Sequence, residues 1–458
     1  MRSEQLPRPI GFAVRTLLCL TVVVVSCHDC LADEATDTFN KLFDIISVRR
    51  DLDGSTVIPE AEAPLLWKNS TFLVEDRNCI KLLGALKSFD KLPQTQIELL
   101  SSLQRAILQH HLWSVFDWTT IAADPHPIEQ FDAMVTRVPT DVHFRLQMSL
   151  ASAIKKLALS QTEILALPSP VEATVNSEVY PQLYDSSDAF KPFLPVDVCD
   201  PNGEWVCISK PDFPVPAIHH AEAVDYRSVF LIFLRLPDGR QQTIDYLAEL
   251  NAFRKPWLTE KPKRFVGMPT HHELRDLELY PNPDTPSFPV GTQVALVKQA
   301  LLIDDSGAMV LSPLVQTIQL RAYLNVSQEI SKNNPSIGPR QALAEFVLQP
   351  RLMMQSKTPM RAVASNEIRH TNTFVYADPI EMPRANAGSH APRLRTCMTC
   401  HSGPGIHSIN SYKQFFQAAT ILPPRLKATT PTTAGTGAIR EKRKAYSWGL
   451  LRGLWRAF

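Results

Sequence analysis

Glycine is scarce in this chain, with 16 in 458 residues. No G-x-G-x-x-G and no G-x-x-x-x-G-K run occurs, so the glycine-rich turns that cradle dinucleotides and nucleoside triphosphates are excluded. Neither sign of charge is in excess, since Lys plus Arg number 47 and Asp plus Glu 46. Such a balance gives no electrostatic reason to expect nucleic acid as a partner. Beyond the N-terminus no apolar run reaches the ~18 residues that a membrane span needs. Internal repeats are also lacking. No Ser-His-Asp or paired-carboxylate arrangement is legible, because such partners need not be near in sequence.

What is there begins with a leader. Arg2, Arg8 and Arg15 come before or just ahead of TLLCLTVVVVS, residues 16–26, an uncharged run of secretory length and short for a bilayer. Two processing sites compete. CLA, before Asp33, has the small residues that ordinary signal peptidase needs. VVSC, residues 24–27, resembles the bacterial lipobox, in which Cys27 becomes the lipidated first residue. Cleavage after Ala32 leaves Cys79 an orphan thiol, whereas cleavage before Cys27 leaves Cys30 as its partner. The second tally favours a lipoprotein. Both routes lead outside the cytoplasm, to the periplasm or to a membrane anchor facing it, where disulfides persist.

The remaining chain divides by pattern. Residues 33–167 are helical in character. TQIELLSSLQRAILQHHLWSVF opens with Thr95 and Glu98 as a capping box, and Leu100, Leu103, Ile107, Leu108, Leu112 and Val115 follow at helical spacing. A second helix follows Thr140. Residues 168–194, rich in Pro and Ser, read as a linker. Residues 195–350 mix strand and helix. SVFLIFLRL, 228–236, is a buried strand, TIDYLAELNAF a helix capped by Thr243, and VGTQVALVKQALLI runs into the turn 304–307. In VQTIQLRAYL, Ile318, Leu320, Ala322 and Leu324 alternate with Thr317, Gln319, Arg321 and Tyr323, the pattern of a half-buried antiparallel strand. PRQALAEFVLQPRL reads as a helix. A haem-bearing segment is expected over 351–425, a flexible threonine-rich linker over 426–439 and an amphipathic helix over 440–458. In that helix Trp448, Leu451, Trp455 and Phe458 share one face, expected to dock on the core near Phe415 and Phe416 or to lie on a membrane. The fold class is α+β.

The chemistry concentrates in CMTCH, residues 397–401. Cys-x-x-Cys-His is the attachment signature of a c-type haem. Two thiols at this spacing add to the two vinyl groups on one edge of the macrocycle, and the next histidine is then held beneath the iron. With 8 cysteines and 13 histidines in the chain, about 0.004 such strings are expected by chance. A zinc site of four cysteines needs a second close pair, and the only other CxxC, Cys27 to Cys30, sits at the leader. CDPNGEWVC places Cys199 and Cys207 around a turn, where an exported chain forms a local disulfide. The pairs His110-His111, His219-His220 and His271-His272 point apart on a helix and form no metal site alone.

Over residues 393–412 the chain resembles the c-type cytochromes, and among them large exported bacterial proteins with one such motif near the C-terminus. The resemblance implies that Cys397 and Cys400 hold a single haem c and that His401 is the proximal iron ligand. Small cytochromes place a distal methionine downstream of the motif, and here no methionine follows Met398. Met382, in a proline-bounded loop, is the first candidate for the distal position, ahead of His390, His370 and His407. The implied function is one-electron transfer with a redox donor or acceptor protein. An open distal position would instead suit a peroxidase-like enzyme. In a third reading the middle domain binds a partner and the haem is auxiliary.

Overall fold

The computed structural model describes residues 34–46, 76–120, 140–209, 216–217, 220–221, 226–255, 257–258, 280–282, 284–326, 340–365, 394, 405–410 and 426–458. The protein is of the α+β class. Its centre is a seven-stranded antiparallel sheet of order β8-β7-β6-β5-β2-β1-β9. The strands are β1 (Val206–Ser209), β2 (Ser228–Arg235), β5 (Gln293–Ile303), β6 (Met309–Tyr323), β7 (Gln341–Leu348), β8 (Met360–Ala362) and β9 (Lys427–Ala428). A separate pair joins β3 (Trp257–Leu258) to β4 (Tyr280–Pro281).

Side-chain alternation sends Val229, Leu231, Phe233, Ala295, Val297, Ile318, Leu320, Ala344 and Phe346 to one face. These residues share one core with a helical layer. The layer contains α1 (34–46), α2 (Asp76–Lys91), α3 (Gln94–Ile97), α4 (Ser102–Thr120), α5 (Thr140–Lys156) and α7 (Pro170–Val175), whereas α6 (Gln161–Leu165) puts Ile164 in a smaller cluster with Ala300, Leu302, Val310 and Leu314. The opposite face carries Val206, Ile208, Leu234, Val294 and Tyr323, covered by Tyr246, Leu247 and Leu250 of α8 (Arg240–Ala252). After β7 comes the short α9 (Pro350–Met354). Among the described residues the one-turn α10 (His407–Asn410), α11 (Pro431–Lys442) and α12 (Tyr446–Ala457) follow. Among the described residues no helix is long and apolar enough to cross a membrane.

Several sequence expectations are corrected. The capping box of the long helix is Ser101 with Gln104, whose side chains and backbone N–H groups bond reciprocally at 3.2 and 2.9 Å, and Thr95 lies in the separate α3. Thr243 is not the N-cap of α8, which starts at Arg240; its hydroxyl donates to Gly239 O and accepts from Leu236 N, both at 2.9 Å. The segment QALAEFVL is strand, not helix, because seven residues of β7 pair with β6. Residues 168–194 are no linker. Thr174 Oγ accepts from Met360 N (3.1 Å) and the Tyr180 hydroxyl from Ala362 N (2.9 Å), so this segment seals the outer edge of β8. The boundary expected at residue 350 cuts the sheet, since β8 pairs with β7. The threonine-rich stretch forms β9 and α11, with Thr430 as N-cap and Pro431 in the first turn. Small residues let α11 approach the sheet. A Cβ on Gly435 would stand 3.0 Å from Leu311 Cδ2.

The apolar face of α12 docks on α4 and α5. Trp448 and Leu451 are buried there, and the Trp448 ring lies 5.8 Å from that of Trp113. Lys155 Nζ donates to Trp455 O at 2.9 Å, satisfying a carbonyl of the last turn. Phe415 and Phe416, the surface expected to receive this helix, lie outside the described residues.

Candidate functional site

Cys397, Cys400, His401, Met382, His390 and His370 lie outside the described residues, as do Cys27 and Cys30. Both flanks of the motif are described. Leu394, three positions before Cys397, packs against Val347 and Val363. Gly405, four positions after His401, begins the downstream flank with φ of 48°. A Cβ there would stand 3.0 Å from Ser287 Oγ, so the backbone conformation and the close approach both call for glycine. Ile406 enters the apolar cluster with Val294, Phe288 and Tyr323. Ser408 is fully buried, donates to Gly405 O at 2.8 Å and is hydrogen-bonded to the Tyr323 hydroxyl. For His407 the structure describes the backbone of α10 alone.

Both flanks therefore sit on the same side of the sheet. Strand register puts Val347 opposite Thr317, Glu345 opposite Gln319, Leu343 opposite Arg321 and Gln341 opposite Tyr323, with Val294 opposite Arg321 on the other side. Cross-strand partners share a face. The face between Leu394 and Ile406 thus carries a polar stripe, and it is buried: Gln319, Gln341 and Glu345 are each under a tenth exposed, and Arg321 is 4% exposed. Alternation of apolar and polar residues implied that this side of β6 meets solvent, and the structure corrects that reading. Arg321 Nε and Nη1 have no hydrogen-bond partner. Burial raises the Tyr323 phenol above its ordinary pKa, while the nearby Arg321 charge and the Ser408 bond oppose the shift.

Compared with family models, curated proteins and solved structures, the chain matches none.

A second polar region lies where α4 meets the sheet. Gln109 Nε2 donates to Ile303 O (2.7 Å) and its Oε1 accepts from Ile303 N (3.0 Å), so one side chain mimics a neighbouring strand. Leu301 O, an acceptor only, takes the His110 Nδ1 proton at 3.1 Å. That leaves Nε2 to accept from Gln316 Nε2 at 2.9 Å, while Gln316 Oε1 accepts from the Ser228 hydroxyl at 2.7 Å. His110 is held neutral, its pKa well below the ordinary value through burial and then the charge of Arg227. His111 stacks on Phe43 at 5.4 Å, and burial lowers its pKa to about 3. Nearly two turns on, Asp117 Oδ2 accepts from Arg227 Nη1 and Lys442 Nζ, both at 2.7 Å. Lys442 is wholly buried, bonds Ser447 Oγ at 2.9 Å and lies 5.5 Å from the Trp113 ring centroid. Among the described residues no group of three or more His, Cys, Asp or Glu side chains could hold a metal ion.

The disulfide expected between Cys199 and Cys207 is not formed in the structure, where both are thiols. Cys207 lies in β1 opposite Phe233 with its side chain in the main core, and Cys199 precedes the turn at Asp200. Burial pushes both thiols up to about 12, so neither is a ready nucleophile. Cys79 is fully buried in the helical core. Sequence reasoning passed over Arg321, Asp117, Arg227 and Lys442. The only signal for Arg321 was a full charge among the uncharged polar residues Thr317, Gln319 and Tyr323 on one side of the strand. Nothing in the run REKRK marks Lys442 as the residue that turns inward.

Proposed function

We propose that the chain is an exported haem c protein that transfers single electrons. The observation that carries this is CMTCH at residues 397–401, behind a leader of secretory pattern. Cys397 and Cys400 would hold the macrocycle by thioether bonds and His401 would hold the iron. When bound, the haem supplies a one-electron couple whose potential depends on its axial ligand and surroundings.

What supports the reading beside the motif is limited to its flanks. A haem is a largely apolar plate with two carboxylates at one edge. Next to the flanks the sheet carries partly buried Leu343, with Leu394 packed on Val347 and Val363, and a buried guanidinium lacking partners on two of its nitrogens. The chain's own part is to shield the plate from water and to set the charge around it. Met382 remains the first candidate for the distal position, and its thioether would raise the potential. Because no methionine follows Met398, a peroxidase-like site with an open position is the second reading.

Denaturing electrophoresis followed by haem-peroxidase staining is the test. Expected is a stained band at the size of the mature chain, abolished when Cys397 and Cys400 are both changed to Ala. Haem that extracts into acidified organic solvent from the wild type refutes the attachment. A low-spin six-coordinate spectrum supports electron transfer, and a high-spin spectrum supports the enzyme.

A further inference from the structure

We propose that copies of this chain associate head to tail, the acidic and apolar surface of residues 178–200 on one copy docking against the basic outer face of α12 on the next.

The first surface is a loop of fixed shape. Leu194 N donates to Pro181 O at 2.8 Å and closes residues 181–194 at their base. Within it the Tyr184 and Phe193 rings lie 5.5 Å apart, Lys191 N donates to Asp188 O at 3.0 Å, and Asp185 Oδ1 accepts from Ser187 N at 2.8 Å. Closed loops packed by their own side chains are compact and hold their outer residues in place. Here apolar side chains stand outside: Leu183 is 74% exposed and Phe190 60%, with Val179 and Val196 exposed just beyond the base. Apolar groups left in water within a polar rim mark a contact surface. The rim is acidic. Over 178–200 the exposed charged residues are Glu178, Asp185, Asp188 and Asp200 against Lys191 alone. Glu178 keeps its carboxylate there at a left-handed backbone position, φ 55°, which glycine or asparagine takes at lower cost.

The second surface has the opposite sign. Trp448, Leu451 and Trp455 are the buried side of α12. At about 100° per residue, Tyr446, Gly449, Arg452, Gly453 and Arg456 then share its outer side. Tyr446 and Phe458 are exposed, and a Cβ on Gly449 or Gly453 would meet nothing within 4 Å, so this side is open. From residue 440 onward every exposed charged side chain is a cation: Arg440, Arg443, Lys444, Arg452 and Arg456. Arg443, Arg452 and Arg456 make no ion pair among the described residues.

Complementarity narrows the occupant. Apolar side chains inside a charged rim meet apolar side chains among charges of the other sign, the anatomy of a protein interface. Both surfaces are exposed within one chain, so neither covers the other there. Pairing the same patch about a two-fold axis would set carboxylate against carboxylate or arginine against arginine, which leaves the head-to-tail arrangement. An anionic bilayer would attract α12 but repel the acidic loop and leave Leu183 and Phe190 in water.

Sedimentation velocity of the full mature protein as purified is the test. The wild-type mean mass should rise with protein concentration at low salt and fall back towards the monomer at high salt. A variant with Glu178→Lys and Asp188→Lys, and another with Arg452→Glu and Arg456→Glu, should each lose association alone. Mixing the two should restore it, because every contact between them again joins opposite charges. A wild type that is monomeric at all concentrations overturns the proposal. So does a variant that associates like wild type, since its surface is then not used, and so does a mixture that stays monomeric. Should the variants fail to accumulate, wild-type association that salt leaves unchanged overturns it equally. Binding of monomeric wild type to phosphatidylglycerol vesicles, lost with Arg452→Glu and Arg456→Glu, assigns α12 to a membrane surface and rejects the pairing.

Discussion

Asp117 shows how one carboxylate can serve two distant parts of the chain. It accepts from Arg227, ahead of β2, and from Lys442, at the end of α11, and all three are nearly excluded from water. Removing the carboxylate leaves two buried cations facing each other. Asp117→Asn should therefore cost about 3–5 kcal/mol in urea unfolding, whereas Lys442→Met, which leaves the Asp117–Arg227 pair intact and restores apolar volume, should cost much less. An Asp117→Asn protein as stable as wild type would contradict the cluster. The paired histidines make a second prediction. In the folded protein His110 and His111 stay neutral well below the ordinary value, His111 down to about 3. Between about pH 6.5 and pH 3 the unfolded chain takes up protons that the folded chain refuses. Stability should thus be full above about pH 6.5 and fall on acidification, by up to about 1.4 kcal/mol per pH unit for each histidine. His111→Phe, which keeps an aromatic ring against Phe43, should flatten that slope when unfolding is compared at neutral and acid pH.

At the scale of elements, α12 is the most exposed to test. Trp448 packs on Trp113, and its truncation to Ala should cost about 3–5 kcal/mol. Gly435→Val should also destabilise, because α11 has no room above Leu311. Thermal unfolding of each variant checks both. Much of the element pattern was legible. SVFLIFLRL announced β2, because a continuous apolar run bounded by turns fits a strand buried on both sides. Helix α5 began at Thr140 as its apolar spacing required. The misreadings have physical causes. Ala342, Ala344 and Glu345 favour helix in isolation, but the ladder to β6 outweighs propensity in β7. Threonines and glycines made 426–439 look like a loop, yet small residues are what a helix needs where it presses on a sheet. At the candidate site, the attachment motif was legible because its chemistry is local. Arg321 was not, because alternation along a strand reports polarity and cannot tell what covers the polar side.

For the molecule as a whole, the helical layer is built from both ends of the sequence. Phe39, Leu86, Leu112 and Ile154 share one core with Ala438, Trp448 and Trp455. The domains read from sequence as separate bodies thus meet in a common interior. A fragment of residues 34–350 should then be molten, with secondary structure retained and fixed tertiary packing lost. Supplying residues 426–458 as a separate peptide should restore a cooperative melt, and a fragment that melts cooperatively alone would refute the shared core. The buried Lys442 carries a consequence in time. Synthesis runs from the N-terminus, so Asp117 and Arg227 exist long before the ammonium that joins them. Until the last few dozen residues arrive, the helical layer lacks a wall, and the partly made protein stays open along that seam. Residues 397–401 emerge within this interval, ahead of the segment that shuts the interior. Any chemistry performed on Cys397 and Cys400 as they emerge meets an unfinished, pliable chain, and folding to completion follows it.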